Sequence, residues 1–153
     1  MLESRATVVL TRSPADNAAL ARRLASLDVT VIEVPTVDAR VIVPPGGVAA
    51  IGAAVATCEF VTFTSRRGVD AFAALFADEA AVVLSRATLR VAAVGAATAE
   101  ALFALGLADV ITAEPATAAR LGDQLIAELN TAELNNAAPV PTAARVVVVQ
   151  GHP

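Results

Sequence analysis

The chain has 153 residues, 56% of them hydrophobic, with 11 basic and 15 acidic side chains and a net charge of −4. That length fits one domain, or one domain and a fragment of another. All the basic residues are arginines, and neither tryptophan nor tyrosine occurs; such a chain has neither the basic face nor the stacking platforms that DNA or RNA requires.

The opening MLESRATVVL carries an early acid and no long apolar run, so it is not a signal peptide. Ala6 to Arg12 (ATVVLTR) predicts a short buried strand. Ser13 and Pro14 then start a helix, the hydroxyl as N-cap and the proline at the first helical position. Ala18, Leu20, Leu24 and Leu27 recur along it at helical spacing. Val29 to Pro35 (VTVIEVP) is a second strand, rich in β-branched residues. TVDARVIVPPGG continues extended and breaks at Pro44 to Gly47. Val48 to Cys58 predicts a helix, too short to cross a bilayer. Its Cys58 is the only cysteine, which excludes an internal disulfide framework and a cysteine-built zinc site. These features predict a cytoplasmic protein with no membrane or nucleic-acid partner.

EFVTFTS is the next strand, and RRGVDAFAALFADEA reads as one helix after it. ATLRVAAVG leads a strand into the helix ATAEALFALGL, closed by Gly106 as C-cap. ADVITAEP is a short strand. ATAARLGDQLIAELNTAEL is a helix with Leu121, Leu125, Ile126 and Leu129 on one face. A linker, NNAAPVPTA, precedes the final strand, RVVVVQGHP.

Strands that read as continuous apolar runs and alternate with helices predict an α/β fold, a parallel sheet with helices on both faces. Ligands on such sheets bind at the carboxyl ends of the strands. Four of those ends are LTRSP, FTSRRG, AVGAAT and VQGHP, expected at one edge of one sheet. The dinucleotide fingerprint is one reading of AVGAAT. Gly95 follows a strand and opens a helix, and Glu114 stands about 20 residues on, but Ala97 occupies the place of the second glycine. A phosphoacceptor domain would need acids after the first strand to hold magnesium, and Thr11 and Arg12 are there instead. The only histidine, His152, reads as an ordinary loop residue rather than a general base. What remains is a group of hydroxyls, amides and arginines, namely Arg12, Thr64, Ser65, Arg66, Arg67 and Thr98, suited to a carboxylate-rich ligand. Thr64, Ser65 and Thr98 have a plainer reading as helix caps, and the arginines as solvated charges. A non-catalytic α/β module for binding ligands or for assembly, or an NAD(P)-binding domain, stays open as an alternative.

FVTFTSRRGVDAF and RVAAVGAATAEALFALGL resemble the FTS-x-x-GV and AVG-x-x-TA-x-AL elements of the uroporphyrinogen-III synthase family. VVLTRSPADNAALARRLASLDVTVIEVP is similar to the family's LTRP opening, and VVVVQG to its LLPRG element. Asp28 departs from the usual glycine, and Gln150 from the usual arginine. The resemblance implies two similar α/β domains, the second inserted within the first. Residues 1–37 would then be the opening β-α-β piece of an incomplete first domain. Residues 38–153 would be a flavodoxin-like inserted domain lacking its last elements, so that the isolated chain is expected to have little activity. The implied reaction cyclises hydroxymethylbilane to uroporphyrinogen III with inversion of one pyrrole ring and loss of water. No cofactor or metal is implied, because the pyrroles stabilise the charge. Thr98 would assist the leaving hydroxyl, while Arg12, Thr64, Ser65, Arg66, Gly95, Ala96 and Gly151 would meet the eight carboxylates of the substrate. The tyrosine that such enzymes often place in the cleft has no counterpart. Strand edges left open by an incomplete domain predict self-association.

Overall fold

The computed structural model describes residues 5–36, 40–135 and 146–149. The chain divides into two compact units, residues 1–42 and 43–153. The boundary expected between residues 37 and 38 lies outside the described residues.

The first unit is β1 (Ala6–Leu10), α1 (Pro14–Ala25) and β2 (Val29–Glu33). The strands are parallel, in register from Ala6↔Val29 to Leu10↔Glu33. Ser13 starts α1 as expected, its Oγ accepting from the Asp16 N–H at 3.4 Å and donating to the Asp16 carboxylate at 2.7 Å. The first strand was expected to be buried, yet only Leu10 of β1 is. The reason is that this sheet has two strands and a single helix. Its register partners Val9 and Ile32 remain 53% and 45% exposed.

The second unit holds α2 (Gly47–Ala56), β3 (Phe60–Phe63), α3 (Arg66–Phe76), α4 (Ala80–Leu84), β4 (Arg90–Ala93), α5 (Ala96–Ala104), β5 (Ile111–Thr112), α6 (Ala118–Asn135) and β6 (Val146–Val149). The expected single helix after β3 is broken. Ala77 takes φ +47°, a 3-10 turn covers Ala77–Glu79, and α4 follows. Phe76, before the break, and Ala80 and Leu84, after it, all enter one core.

Four parallel strands run in the order β5-β4-β3-β6. The α/β class and the all-parallel pairing are as the sequence reads. In detail the order departs from the flavodoxin-like one, which would set β5 beside β3. Alternation along the strands explains the two covered faces. Val61, Phe63, Val91 and Ala93 face a core with residues of α2, α3 and α5. Phe60 and Ala92 face the other side, where Leu121 and Leu125 of α6 lie over them. Phe72 holds the first core together, edge-on to Phe63 (5.6 Å, 87°) and stacked on Phe76 (4.5 Å). On the other face Arg90 pairs with Glu128 at 2.7 Å and lies over the Phe60 ring, fastening α6 to the start of β4. No helix among the described residues is long and apolar enough to cross a membrane.

Candidate functional site

Register puts Phe63, Ala93, Thr112 and Val149 level with one another. The turns after β3 and β4 therefore leave the sheet side by side, at its carboxyl edge. The chain order reverses between β3 and β6, and such a switch point is where open parallel sheets bind ligands. Here that point is closely filled. Thr64 donates its N–H to the Val149 carbonyl at 3.3 Å, and its hydroxyl reaches the same oxygen at 3.5 Å. A Cβ on Gly68 would come within 3.2 Å of that carbonyl. A glycine at this position is what allows the first turn of α3 to approach β6.

The two neighbouring helix starts are built differently. Ser65 caps α3, its Oγ accepting from the Gly68 N–H at 3.3 Å. The cap reading of Ser65 thus holds. Gly95 opens α5 with φ +83° and ψ 156° and supplies no side-chain cap. Its carbonyl takes the N–H groups of Thr98 and Ala99, both at 3.2 Å. The N–H groups of Ala96 and Ala97 keep the unpaired character of a helix start, and both residues are exposed. An open helix N-terminus of this kind favours an anion.

Thr98 is 4% exposed. Its hydroxyl has no hydrogen bond among the described residues, while no buried side-chain oxygen or nitrogen there lacks a partner. Thr98 is thus a buried residue in the first turn of α5, directly after the two residues with open amides.

The remaining expected residues do not all join this edge. Arg66 is exposed and lies 3.9 Å from Asp70 along its own helix, an arrangement that contributes little when both partners are solvated. Arg67, in the same turn, is half-buried. Arg12 was expected at the same edge of the same sheet; instead it follows β1, in the two-stranded sheet of the first unit. Its side chain is exposed and lies 4.0 Å from Asp16. Gly151 and His152 lie outside the described residues.

Two residues were missed by sequence reasoning. Asn17 is 2% exposed and donates its side-chain amide to the Arg12 carbonyl at 2.8 Å, fixing the turn after β1. Its position on a face otherwise marked by leucines gave no sign of this. The second is Arg120, whose Nε donates to the Glu114 carbonyl at 3.2 Å. That bond braces the loop between β5 and α6, and Ala116 in the loop would stand 3.4 Å from a Cβ on Gly95. Ala116 thus occupies ground beside the turn where a dinucleotide's pyrophosphate would have to lie, which weighs against the NAD(P) alternative.

A model of the family described as uroporphyrinogen-III synthase HemD matches residues 18–151. No curated protein matches the chain. The matched span includes the turns after β3 and β4 and excludes the turn that carries Arg12.

Proposed function

Because the chain belongs to the uroporphyrinogen-III synthase family, we propose that it acts on hydroxymethylbilane, cyclising it to uroporphyrinogen III at the carboxyl edge of β3 and β4. The observation that carries this reading is the start of α5. It offers two uncapped amides on exposed residues beside a buried threonine. The chemistry needs little more from a protein than anion binding, placement and help for one leaving group. Loss of the terminal hydroxyl, as water, gives an azafulvene. The substituted carbon of the fourth ring attacks it, forming a spiro intermediate that fragments and recloses with that ring inverted.

In this scheme the N–H groups of Ala96 and Ala97 bind a substrate carboxylate, and Gly95 shapes the turn that presents them. Thr98 donates a hydrogen bond to the departing oxygen. Ser65 and Thr64 hold the neighbouring turn in place, and Arg66 contributes positive potential to an octacarboxylate; Arg12, in the first unit, is read as a further residue for such a substrate. Gly151 is read as a further residue that meets the substrate. Residues 1–37 and 38–153 are read as parts of two α/β domains, the second inserted within the first. The division of the chain after residue 42 supports such a reading. A biosynthetic role of this kind is cytoplasmic.

The test is turnover of freshly generated hydroxymethylbilane by a version of the chain that is also supplied with the remainder of the first domain, with the type III and type I products separated. Thr98→Val keeps the buried shape and removes the hydroxyl. It is expected to lower kcat about tenfold or more with KM little changed, the pattern for an interaction made in the transition state. Equal rates for Thr98→Val and the parent chain would remove Thr98 from the mechanism. Formation of the type I isomer alone, at the uncatalysed rate, would remove the activity.

A further inference from the structure

Resting on that reading of the carboxyl edge, we propose that Arg120 is a further carboxylate-binding residue, which takes a second acid group of the same polycarboxylate one strand beyond the α5 turn. Three features carry it. The guanidinium is already held, since Nε donates to the Glu114 carbonyl at 3.2 Å, and the backbone N–H of Arg120 donates to the Thr117 hydroxyl at 3.2 Å, fixing the helix start that carries the side chain. With Nε engaged, the two terminal nitrogens form an end-on fork of the kind that grips a carboxylate. No ion pair engages that fork among the described residues.

The second feature is location. The loop that Arg120 braces is the one whose Ala116 lies against Gly95, so this arginine adjoins the turn already assigned to one carboxylate. The third is charge. A crevice of about 410 Å³ is lined by Arg120 together with Thr112, Glu114, Asp123, Gln124 and Ala127. Two of those residues are acids. Without the guanidinium the crevice would repel a polycarboxylate; with it, an acid group finds one fixed partner. Holding Nε on a backbone carbonyl also reduces the side-chain entropy lost on binding.

Titration of the whole chain with uroporphyrin, which carries eight carboxylates, and with coproporphyrin, which keeps half of them, tests this through quenching of porphyrin fluorescence. Arg120→Gln is expected to weaken uroporphyrin binding about three- to tenfold and to narrow the preference over coproporphyrin. Arg120→Lys should fall between, since it keeps charge and loses the fork. Glu114→Gln removes a repelling acid while keeping the carbonyl that holds Nε, and it should tighten binding. Arg86→Gln, in the loop before β4, removes the same charge elsewhere and should change affinity less than about twofold. If Arg120→Gln and Glu114→Gln both match the parent chain, the assignment of Arg120 is overturned and the proposed reaction is not. If the parent chain binds neither porphyrin, the tetrapyrrole reading itself fails and the assignment falls with it. Should Arg120→Gln fail to fold, the Glu114→Gln arm decides alone.

Discussion

Replacing Gly95 by alanine probes how the α5 turn is built. At φ +83° and ψ 156° the backbone occupies a region open essentially to glycine, and a side chain there costs about 1–3 kcal/mol. The added Cβ would meet Ala116 at 3.4 Å, ordinary contact without slack, so backbone strain rather than collision dominates. Stiffening of the unfolded chain returns only about 0.4–1 kcal/mol. The net loss is then about 1–2 kcal/mol, which lowers the melting temperature by roughly 2–8 °C. Gly122→Ala supplies the internal control. Gly122 lies within α6, its backbone is not left-handed, and an added Cβ would meet nothing within 4 Å. Alanine there should gain up to about 1 kcal/mol from helix propensity. Thermal and urea unfolding followed by far-UV circular dichroism measure both. A Gly95→Ala chain as stable as its parent, alongside a stabilised Gly122→Ala chain, would refute the account of this turn.

Asn17→Ala removes the amide that holds the Arg12 carbonyl. It should cost about 1–2 kcal/mol and speed hydrogen exchange at the amides of the β1–α1 turn while leaving β3 and β4 protected. Burial pushes the Cys58 thiol up, and its Sγ lies 3.3 Å from the Val55 carbonyl. The native chain should therefore react slowly with a thiol reagent at neutral pH and quickly in denaturant. Linkage gives the sign for stability. A thiol raised on folding contributes stability that is fully present below its unfolded pKa, about 8.5, and is lost as pH rises through the folded value. Urea midpoints should accordingly fall in that alkaline range, and less so for Cys58→Ala. Fast labelling of the native protein at neutral pH would contradict the buried position.

The elements were legible because each carries its own local signal. Ser13 and Pro14 mark the start of α1, and Gly95 and Gly106 bracket α5, through backbone preferences that act within a few residues. The parallel pairing followed from apolar strands alternating with helices. Ala77 was not legible: nothing about an alanine announces φ +47°. Phe76, Ala80 and Leu84 share one core at a spacing that an unbroken helix would also put on one face, so the periodicity gave no sign of the break. Arg12 was misplaced for a related reason. Its strand end looks like the other three, and only long-range pairing decides that, among the described residues, β1 joins β2 alone. Asn17 and Arg120 went unseen because their partners are backbone carbonyls, which no sequence pattern marks.

The contrast between Ser65 and Gly95 explains why one glycine suffices at the α5 turn. A side-chain cap satisfies a helix start at the expense of its power to bind an anion, and exchanging such a cap for glycine costs only a few tenths of a kcal/mol. Two adjacent turns at one level of the sheet have settled this in opposite ways, α3 capped and α5 open. A dinucleotide fingerprint would need glycine again at Ala97, so that a pyrophosphate could lie against the backbone, and at Glu100 for close packing of helix on strand. Both positions are exposed, and Ala99 and Thr98, 3% and 4% exposed, make the packing contact instead. A carboxylate at the end of a flexible arm needs no flat backbone beneath it, only the two amide hydrogens it can reach. The single glycine therefore presents two amides without the flat backbone that a pyrophosphate needs, which is consistent with the tetrapyrrole carboxylate proposed above.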